Sequence, residues 1–333
     1  MTKLGQVKSP NIVLCYPIEP HHLQWLQQAA PNANFINAGQ EGIAAEIMNA
    51  DMFLGHAKVP VDWDAVVQQG RLKWIQSSAA GLDHCLVPAV IESEIPVCSA
   101  SGLFANQVAE QTFALLFGVL RSIPTFFRQM QSKEFVRRPT HDLHGKTIGI
   151  IGLGGNGRRL AQVLAPFRVK ILATDYYPEN APPEVHQLLP HTSLHEVASQ
   201  ADVLILTLPL NESTYHCING SVFDAMKKGS YLINVARGQV VDEQALIERL
   251  QSGHLAAAGV DVTEVEPLPK SSLLWDLPNV LITPHVGAQA AVRVDDTTRL
   301  ICENLRRFLA NEPLYNLVDK RLGFPHPSKL WRS

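Results

Sequence analysis

One stretch, residues 146–175, constrains the fold more than any other part of the chain. It reads KTIGIIGLGGNGRRLAQVLAPFRVKILATD. An apolar run (Thr147–Ile151) enters a glycine-rich turn, a helical segment follows, and a second apolar run (Val169–Ala173) ends at Asp175. A strand, a glycine turn, a helix, a strand and an acid in this order are typical of the βαβ unit that opens a dinucleotide-binding domain.

The residues of the turn have separate physical roles in this interpretation. Gly152 allows the tight turn, Gly154 lets the backbone approach a pyrophosphate, and Gly157 lets the helix pack closely on the strand. The helix N-terminus offers N–H groups to the phosphates. Asp175 can accept hydrogen bonds from the ribose hydroxyls and would repel a 2′-phosphate, and the following Tyr176-Tyr177-Pro178 supplies no cation. We therefore expect NAD, with NADH preferred over NADPH.

Length and composition narrow the class of protein. The 333 residues suggest two domains, and 46% hydrophobic against 18% charged residues allows a large core. The net charge of −3 gives no reason to expect nucleic acid or an anionic membrane as partner. Five scattered cysteines without a C-x-x-C pair indicate reduced thiols in the cytoplasm. We see no secretory leader and no apolar run near the roughly 18 residues of a membrane span.

Short apolar runs alternate with helical stretches along most of the chain, which predicts an α/β fold with doubly wound parallel sheets. A long apolar helix, Asn106–Ile123, is expected between two domains or against another subunit. A second long helix, Val292–Asn311, is expected to pack on the first domain, and the tail from Gly323 is given no structure. The first domain is predicted to contain strands Asn11–Tyr16, Asn34–Asn37, Met52–Leu54, Lys73–Gln76 and Val97–Cys98. The second sheet is predicted to have six parallel strands, the last four being Asp202–Pro209, Tyr231–Ala236, Ala256–Val262 and Val280–Thr283.

Three residues that follow strands of the second sheet carry a consistent chemistry. Arg237 follows one strand, Glu266 lies just past the next, and His285 lies just past the last. Because the carboxyl ends of parallel strands face the ligand crevice, all three should lie near the nicotinamide. A guanidinium can bind a carboxylate in bidentate fashion, and a histidine paired with a carboxylate can donate a proton during hydride transfer.

Several assignments stay open at this level. Glu264 competes with Glu266 for the histidine, and Asp261 either contacts the nicotinamide or caps a turn. The small residues Ala79–Gly81 either form a nest of backbone N–H groups for a carboxylate or a plain surface turn. The remaining histidines show no metal-ligand spacing, so no metal is expected.

The motifs together resemble a known family. The segments Asn234-Val-Ala-Arg-Gly, DVTEVEPLP (Asp261–Pro269) and LLWDLPNVLITPHVG (Leu273–Gly287), with the glycine turn, resemble the D-isomer-specific 2-hydroxyacid dehydrogenases. The likeness runs from about Ile12 to Val318 and includes glyoxylate/hydroxypyruvate reductase-like and short phosphoglycerate dehydrogenase-like members. One departure is Asn156, which stands where an apolar residue is usual in the glycine turn.

The resemblance implies an NAD-dependent enzyme that interconverts a small 2-keto acid and its D-2-hydroxy acid. It implies a Rossmann NAD-binding domain, 103–289, inserted into a flavodoxin-like substrate domain, 1–102 and 290–333, and a homodimer. His285 is then the acid/base, Glu266 its partner, and Arg237 binds the substrate. The implied substrate contacts are Ala79, Ala80, Gly81, Arg237 and His285. The implied cofactor contacts are Gly152, Gly154, Gly155, Asn156, Gly157, Asp175, Leu208, Pro209, Thr214, Ala236, Asp261 and Gly287.

Two alternatives remain. An NAD-sensing corepressor-like protein of the same superfamily would retain the same three residues, so the triad does not exclude it. A phosphorylated substrate is disfavoured because the Ser77–Gly81 loop carries no cation, although Lys58 could reach one.

Overall fold

The computed structural model describes residues 9–331. The expectation about a leader segment falls mostly on residues 1–8, outside the described residues. The chain divides into two compact units. Unit 1 contains the residues up to Leu103 and those from Ala290 onward, and unit 2 is Phe104–Gln289.

Unit 1 is built on a five-stranded parallel sheet of β1 (Asn11–Cys15), β2 (Asn34–Asn37), β3 (Met52–Gly55), β4 (Trp74–Ser77) and β5 (Val97–Cys98). The strand order is β2-β1-β3-β4-β5. This is the flavodoxin-like doubly wound order. The sheet is apolar on both faces: Ile12 and Leu14 of the first strand pack into one core, and Val13 and Cys15 into the other. The helices of this part are α1 (Pro20–Ala29), α2 (Gly39–Glu46), α3 (Trp63–Gln68) and α4 (Pro88–Glu92).

Unit 2 contains a larger parallel sheet, likewise covered by helices and apolar cores on both faces. Its helices are α5 (Ala105–Leu120), α6 (Ile123–Gln131), α7 (Gly155–Leu164), α8 (Leu194–Gln200), α9 (Gly220–Ala225) and α10 (Glu243–Gln251). Its strands are β6 (Thr147–Ile151), β7 (Lys170–Asp175), β8 (Gln187–Pro190), β9 (Val203–Leu206), β10 (Ser230–Asn234), β11 (Leu255–Val260) and β12 (Val280–Ile282). The order is β12-β11-β10-β9-β6-β7-β8, so the chain direction across the sheet reverses between β6 and β9. Such a switch point is where ligands bind in open α/β sheets.

The sheet of unit 2 has seven parallel strands, so the prediction of six is wrong. The additional strand is β8, which pairs with β7 at the edge of the sheet. Its sequence, QLLP, is short, only half-buried and ends in proline. It therefore lacks the long apolar run that identifies central parallel strands.

The long helix predicted over Asn106–Ile123 ends at Leu120. Ser122 adopts a left-handed backbone conformation (φ 57°), and Pro124 then lies in the first turn of a separate helix, α6. The left-handed residue turns the chain, and proline is well placed at a helix start. Helix α6 was not predicted, although its apolar residues Ile123, Phe127 and Met130 recur at helical spacing; they are largely exposed.

The end of the chain returns to unit 1 as α11 (Arg293–Leu309), β13 (Val318–Asp319) and β14 (Phe324–Pro325). The predicted apolar stripe of α11 is confirmed, since Leu300, Ile301, Leu305 and Phe308 are buried. The prediction of an unstructured tail from Gly323 is wrong in part. Strand β14 pairs with β13, and the buried Asn316 donates its N–H to Lys329 O and accepts the Trp331 N–H. The β13–β14 pairing is a short hairpin, whereas Asn316 and Trp331 are 15 positions apart, a separation that local patterns do not indicate.

Within residues 9–331, no helix combines the length and the apolar character needed to cross a membrane.

Candidate active site

The glycine turn lies between the end of β6 and the start of α7. Gly152 has a left-handed φ of 95°, and a Cβ there would lie 2.8 Å from Leu208 Cα. A Cβ on Gly157 would overlap the Gly152 carbonyl. A Cβ on Gly154, in contrast, would meet no heavy atom within 4 Å. Internal packing therefore explains Gly152 and Gly157 but not Gly154, as expected where a ligand approaches the backbone.

Asp175 at the end of β7 is buried and binds the same turn. Its Oδ2 accepts the Leu153 N–H at 2.6 Å, and its Oδ1 accepts the Tyr177 N–H at 2.9 Å. Each carboxylate oxygen can accept a second hydrogen bond. The carboxylate thus fixes the loops on either side of it and still has capacity for a ligand hydroxyl.

Arg158 is a residue of this region that the sequence interpretation missed. Its guanidinium extends from α7 and donates to the carbonyls of Asn180 (2.7 Å) and Glu179 (3.4 Å). The loop that follows Asp175 contains no cation in its first residues, but the fold supplies one from a neighbouring helix. An arginine just after the last glycine of the turn was the available signal.

The loop after β9, residues 207–218, contains the predicted cofactor contacts Leu208, Pro209 and Thr214. The Thr214 hydroxyl donates to Pro209 O at 2.8 Å and accepts the Asn211 N–H at 2.8 Å. The hydroxyl therefore shapes the loop. Whether these three residues also contact a cofactor stays a prediction.

Arg237 is held by a turn that the buried Asn234 organises at the end of β10. The Asn234 side chain accepts the Ala236 N–H at 3.0 Å and donates to Arg237 O at 3.0 Å. Arg237 Nη1 donates to Ala236 O at 2.7 Å. The sequence motif alone did not assign Asn234 this role, although an amide that ends a buried strand is a typical turn-forming signal.

His285 and Glu266 form a direct pair in unit 2. The His285 Nδ1 lies 2.7 Å from Glu266 Oε2, and the side chains are 45% and 38% exposed. Because an ionised carboxylate only accepts, Nδ1 carries the proton of this bond. Nε2 therefore holds a lone pair in the neutral imidazole and a proton in the imidazolium, and it has no partner among residues 9–331. His285 has a left-handed φ of 53°, a strained conformation for histidine that is frequent at functional sites.

Glu266 is also bound on its other oxygen, since Thr263 N–H donates to Oε1 at 3.2 Å. Burial alone would raise the pKa of this carboxyl. The hydrogen bond and charge of His285, the Thr263 N–H and the charge of Arg237 outweigh burial and hold the pKa below its ordinary value. Glu266 is thus the ionised partner of His285, and the competing Glu264 binds His216 instead, at 2.9 Å.

Asp261, at the end of β11, organises the loop that carries His285. Its carboxylate accepts the N–H groups of Val286 (3.0 Å) and Gly287 (2.8 Å) and the Thr283 hydroxyl (2.6 Å), and its carbonyl accepts the His285 N–H (2.7 Å). Gln111 of α5 donates to Thr283 Oγ1 at 2.8 Å. Asp261 therefore caps a turn in this structure, and its predicted contact with the nicotinamide stays a prediction.

The predicted substrate loop Ala79–Gly81 belongs to unit 1, after β4. The Ala79 N–H donates to Ser77 Oγ at 3.0 Å, and the Ala79 carbonyl accepts the Ala100 N–H at 2.9 Å. The Ala80 and Gly81 N–H groups have no partner within the described part of the chain. Any anion held by this loop would therefore bind to Ala80 and Gly81.

Metal ligation has one geometric candidate among the described residues, the side chains of His21, His22 and Asp295 in unit 1. The His22 Nδ1 accepts the Glu19 N–H at 2.9 Å, so in the neutral ring the proton is on Nε2, which donates to Asp295 at 2.7 Å. Metal binding at Nε2 would require that proton to move to Nδ1, where it would face the Glu19 N–H, which is also a donor. The cluster is explained by hydrogen bonding between α1 and α11.

Several known proteins with similar sequences are named glyoxylate reductase or glyoxylate/hydroxypyruvate reductase. The family model described as D-isomer specific 2-hydroxyacid dehydrogenase, NAD binding domain, matches residues 113–287. Glyoxylate reductase of Thermofilum pendens is 32% identical over 294 residues, covering 85% of this chain and 85% of that protein. Glyoxylate/hydroxypyruvate reductase B of Yersinia pestis is 32% identical over 293 residues, covering 86% of this chain and 89% of that protein.

A solved structure agrees with these sequence matches. The crystal structure of a D-isomer specific 2-hydroxyacid dehydrogenase from Xanthobacter autotrophicus, in complex with NADPH and MES, has a TM-score of 0.79 and 30% sequence identity. The match covers 95% of this chain and 100% of that chain. The chain therefore belongs to the D-isomer specific 2-hydroxyacid dehydrogenases, which are nicotinamide-dependent oxidoreductases.

Proposed function

We propose that this protein reduces a small 2-keto acid, of the glyoxylate and hydroxypyruvate class, to the D-2-hydroxy acid with NADH. The observation that carries the proposal is the 2.7 Å pair of His285 and Glu266. This pair and the glycine turn both follow the C-terminal ends of strands in the parallel sheet of unit 2. The names of the relatives as reductases favour this enzyme over the alternative of an NAD-sensing interaction protein.

The cofactor would be held at the carboxyl ends of the strands of unit 2. The open space at Gly154 and the first-turn N–H groups of α7 suit a pyrophosphate, and Asp175 suits a ribose hydroxyl. When bound, the nicotinamide supplies the hydride for C2 of the keto acid. The further proposed contacts are Gly152, Gly155, Asn156, Gly157, Leu208, Pro209, Thr214, Ala236, Asp261 and Gly287.

In the proposed reaction, Arg237 binds the substrate carboxylate and polarises the neighbouring carbonyl, because a guanidinium is planar, always charged and capable of bidentate hydrogen bonds. Ala80 and Gly81 of unit 1 stay predicted substrate contacts. His285 donates the Nε2 proton to the carbonyl oxygen in reduction and accepts it in oxidation. Glu266 stabilises the imidazolium and fixes which nitrogen faces outward.

Mutation of the proposed site tests this function through NADH consumption with a panel of 2-keto acids. We expect His285→Ala to lower kcat by about 10²–10⁴-fold, the range for a lost general acid. Arg237→Ala should mainly raise KM and also lower kcat. His195→Ala, which removes a surface histidine bonded to Ser221, is the matched control and should leave both constants unchanged. Full turnover in His285→Ala and Arg237→Ala would refute the site.

The preference for NADH rests on Asp175, whose charge would repel a 2′-phosphate. Arg158 of α7 donates to carbonyls of the loop that follows Asp175, and its positive charge would favour a 2′-phosphate. The Xanthobacter relative was crystallised with NADPH. We expect Asp175→Ala to weaken NADH binding and to reduce the discrimination against NADPH, measured as the ratio of the two kcat/KM values. Equal use of both cofactors by the wild type would contradict our interpretation of Asp175.

We also propose a homodimer that works in the cytoplasm. Helix α6 exposes a row of large apolar side chains, Ile123, Phe127 and Met130, on unit 2. All five cysteines are free thiols, as a reducing compartment favours. Light scattering after size exclusion should give twice the chain mass, and the double variant Phe127→Glu/Met130→Glu should give the monomer. A wild-type monomer would refute the dimer.

A further inference from the structure

A second histidine–glutamate pair lies beside the proposed catalytic pair. The Nε2 atom of His216 lies 2.9 Å from Glu264 Oε1, and both side chains are about 30% exposed. The carboxylate only accepts, so Nε2 donates. His216 belongs to the 207–218 loop after β9, and Glu264 belongs to the segment 261–267 that carries Glu266. The pair therefore joins two parts of unit 2. One is the loop that is proposed to contact the cofactor, and the other is the segment whose Glu266 binds the proposed acid/base, His285.

Glu264 is fastened on both of its oxygens and through its backbone. Its Oε2 accepts the Glu243 N–H at 3.3 Å, and its own N–H donates to Glu243 Oε2 at 3.1 Å. This reciprocal bonding ties the segment to the start of α10. Without His216, the segment would keep this attachment to α10 but lose the hydrogen bond between Glu264 and the 207–218 loop.

The connection from Glu264 to the acid/base is short. The preceding residue, Thr263, donates its N–H to Glu266 Oε1, and Glu266 Oε2 binds His285. On the other side, the His216 N–H donates to Gln239 O at 2.9 Å, two residues past Arg237. A displacement of the 207–218 loop would therefore act on the residues around both Glu266 and Arg237.

Resting on the proposed function, we propose that His216 and Glu264 are positioning residues that couple the 207–218 loop to the placement of Glu266 and His285. Neither side chain is assigned a contact with substrate. The pair keeps the 207–218 loop and the 261–267 segment in register, so that a cofactor bound to the loop meets a His285 that Glu266 of the segment holds in place.

The backbone conformation of His216 permits a test with two variants, His216→Asn and His216→Gln. A purely structural role and the pairing role predict opposite orders for the loss of activity in these variants. His216 has a left-handed φ of 49°, which asparagine adopts more readily than glutamine does. Asparagine is too short to place its amide where the His216 Nε2 lies, whereas the glutamine Nε2 can donate to Glu264. If only the backbone matters, His216→Asn is the milder change; if the pair matters, His216→Gln is the milder change.

We expect His216→Asn to lower kcat by about 2- to 5-fold, as loss of one partly exposed hydrogen bond to a carboxylate would give, with KM for the keto acid changed less than about twofold. NADH binding, measured by fluorescence without substrate, should weaken by a similar factor. His216→Gln should recover most of both losses. Glu264→Gln, which keeps the shape and one acceptor oxygen, should lie between them and serves as the second variant if His216→Asn does not fold.

The outcomes separate this inference from the proposed function. Wild-type kinetics in His216→Asn, or equal losses in His216→Asn and His216→Gln, would overturn the positioning role even if the wild type reduces keto acids. If the wild type reduces none of them, the proposed substrate class fails, and NADH affinity alone then decides the positioning role. Weaker NADH binding only in His216→Asn would support it, and unchanged NADH binding in both variants would overturn it.

Discussion

Replacing Asp261 by asparagine should destabilise unit 2 far more than the same substitution at a helix cap. Asp261 is 2% exposed, and its two oxygens have different surroundings. Oδ1 accepts from the Val286 N–H, the Thr283 hydroxyl and, at 3.4 Å, the Gln111 amide, whereas Oδ2 accepts from the Gly287 N–H. An asparagine oxygen would replace Oδ1, where three donors converge. Its NH₂ group would then face the Gly287 N–H, so two donors would meet.

The magnitude follows from these contacts. Loss of one charge-assisted hydrogen bond costs about 1.5–3 kcal/mol, and leaving a buried N–H unsatisfied costs about 1–3 kcal/mol. Removal of a buried charge recovers part of this sum because the desolvation penalty disappears. We therefore expect a net loss of about 2–4 kcal/mol in the free energy of unfolding, together with looser bonding of the loop that carries His285.

The matched control is Asp242→Asn in the same unit. Asp242 caps α10 by accepting the Ala245 N–H at 3.0 Å, and asparagine caps helices about as well as aspartate. Urea unfolding gives the stability of both variants, and amide hydrogen exchange of the segment 283–289 reports the loop. If Asp261→Asn is as stable as Asp242→Asn and residues 286 and 287 exchange as slowly as in the wild type, the reasoning is refuted.

Three further predictions concern the same unit and the thiols. Gly238→Ala should lower kcat/KM by about 10²-fold and reduce the melting temperature, because the new Cβ would overlap the Thr263 carbonyl near Glu266. Gly220→Ala is the control and should leave both quantities unchanged, because its Cβ would meet only Arg249 Nη2, at 3.6 Å. Because the folded-state pKa of Glu266 is lowered, its pairing stabilises the protein above about pH 4.3 and loses this effect as the pH falls through the folded-state pKa. The urea midpoint of the wild type should thus fall more steeply below pH 5 than that of Glu266→Gln, and parallel curves would contradict this. Burial raises the thiol pKa of all five cysteines, so a thiol reagent near pH 8 should react with them slowly until urea unfolds the chain, and rapid reaction of the native protein would contradict it. The thiol pKa is raised to about 11 in Cys15, Cys217 and Cys302 and to about 12 in Cys98.

Much of the fold could be predicted because parallel strands and their helices leave local signals. The apolar run and glycines from Thr147 to Gly157 are a local pattern, and β6 and α7 form there. The half-exposed strand β8 has a weak local signal and was missed. Helix α6 was missed although its apolar residues recur at helical spacing. Their formation depends on pairing with β7 and on a left-handed residue at Ser122, which no periodicity reveals.

The sequence by itself determined the residue types of the candidate site and their placement after successive strands, because each follows its strand directly along the chain. Only the tertiary structure decided which partners meet. It brought Glu266 rather than Glu264 to His285 and bound Asp261 to the loop after that histidine. These contacts depend on backbone turns and on distances of a few ångströms between strand ends. Such distances are set by sheet order and packing rather than by local sequence.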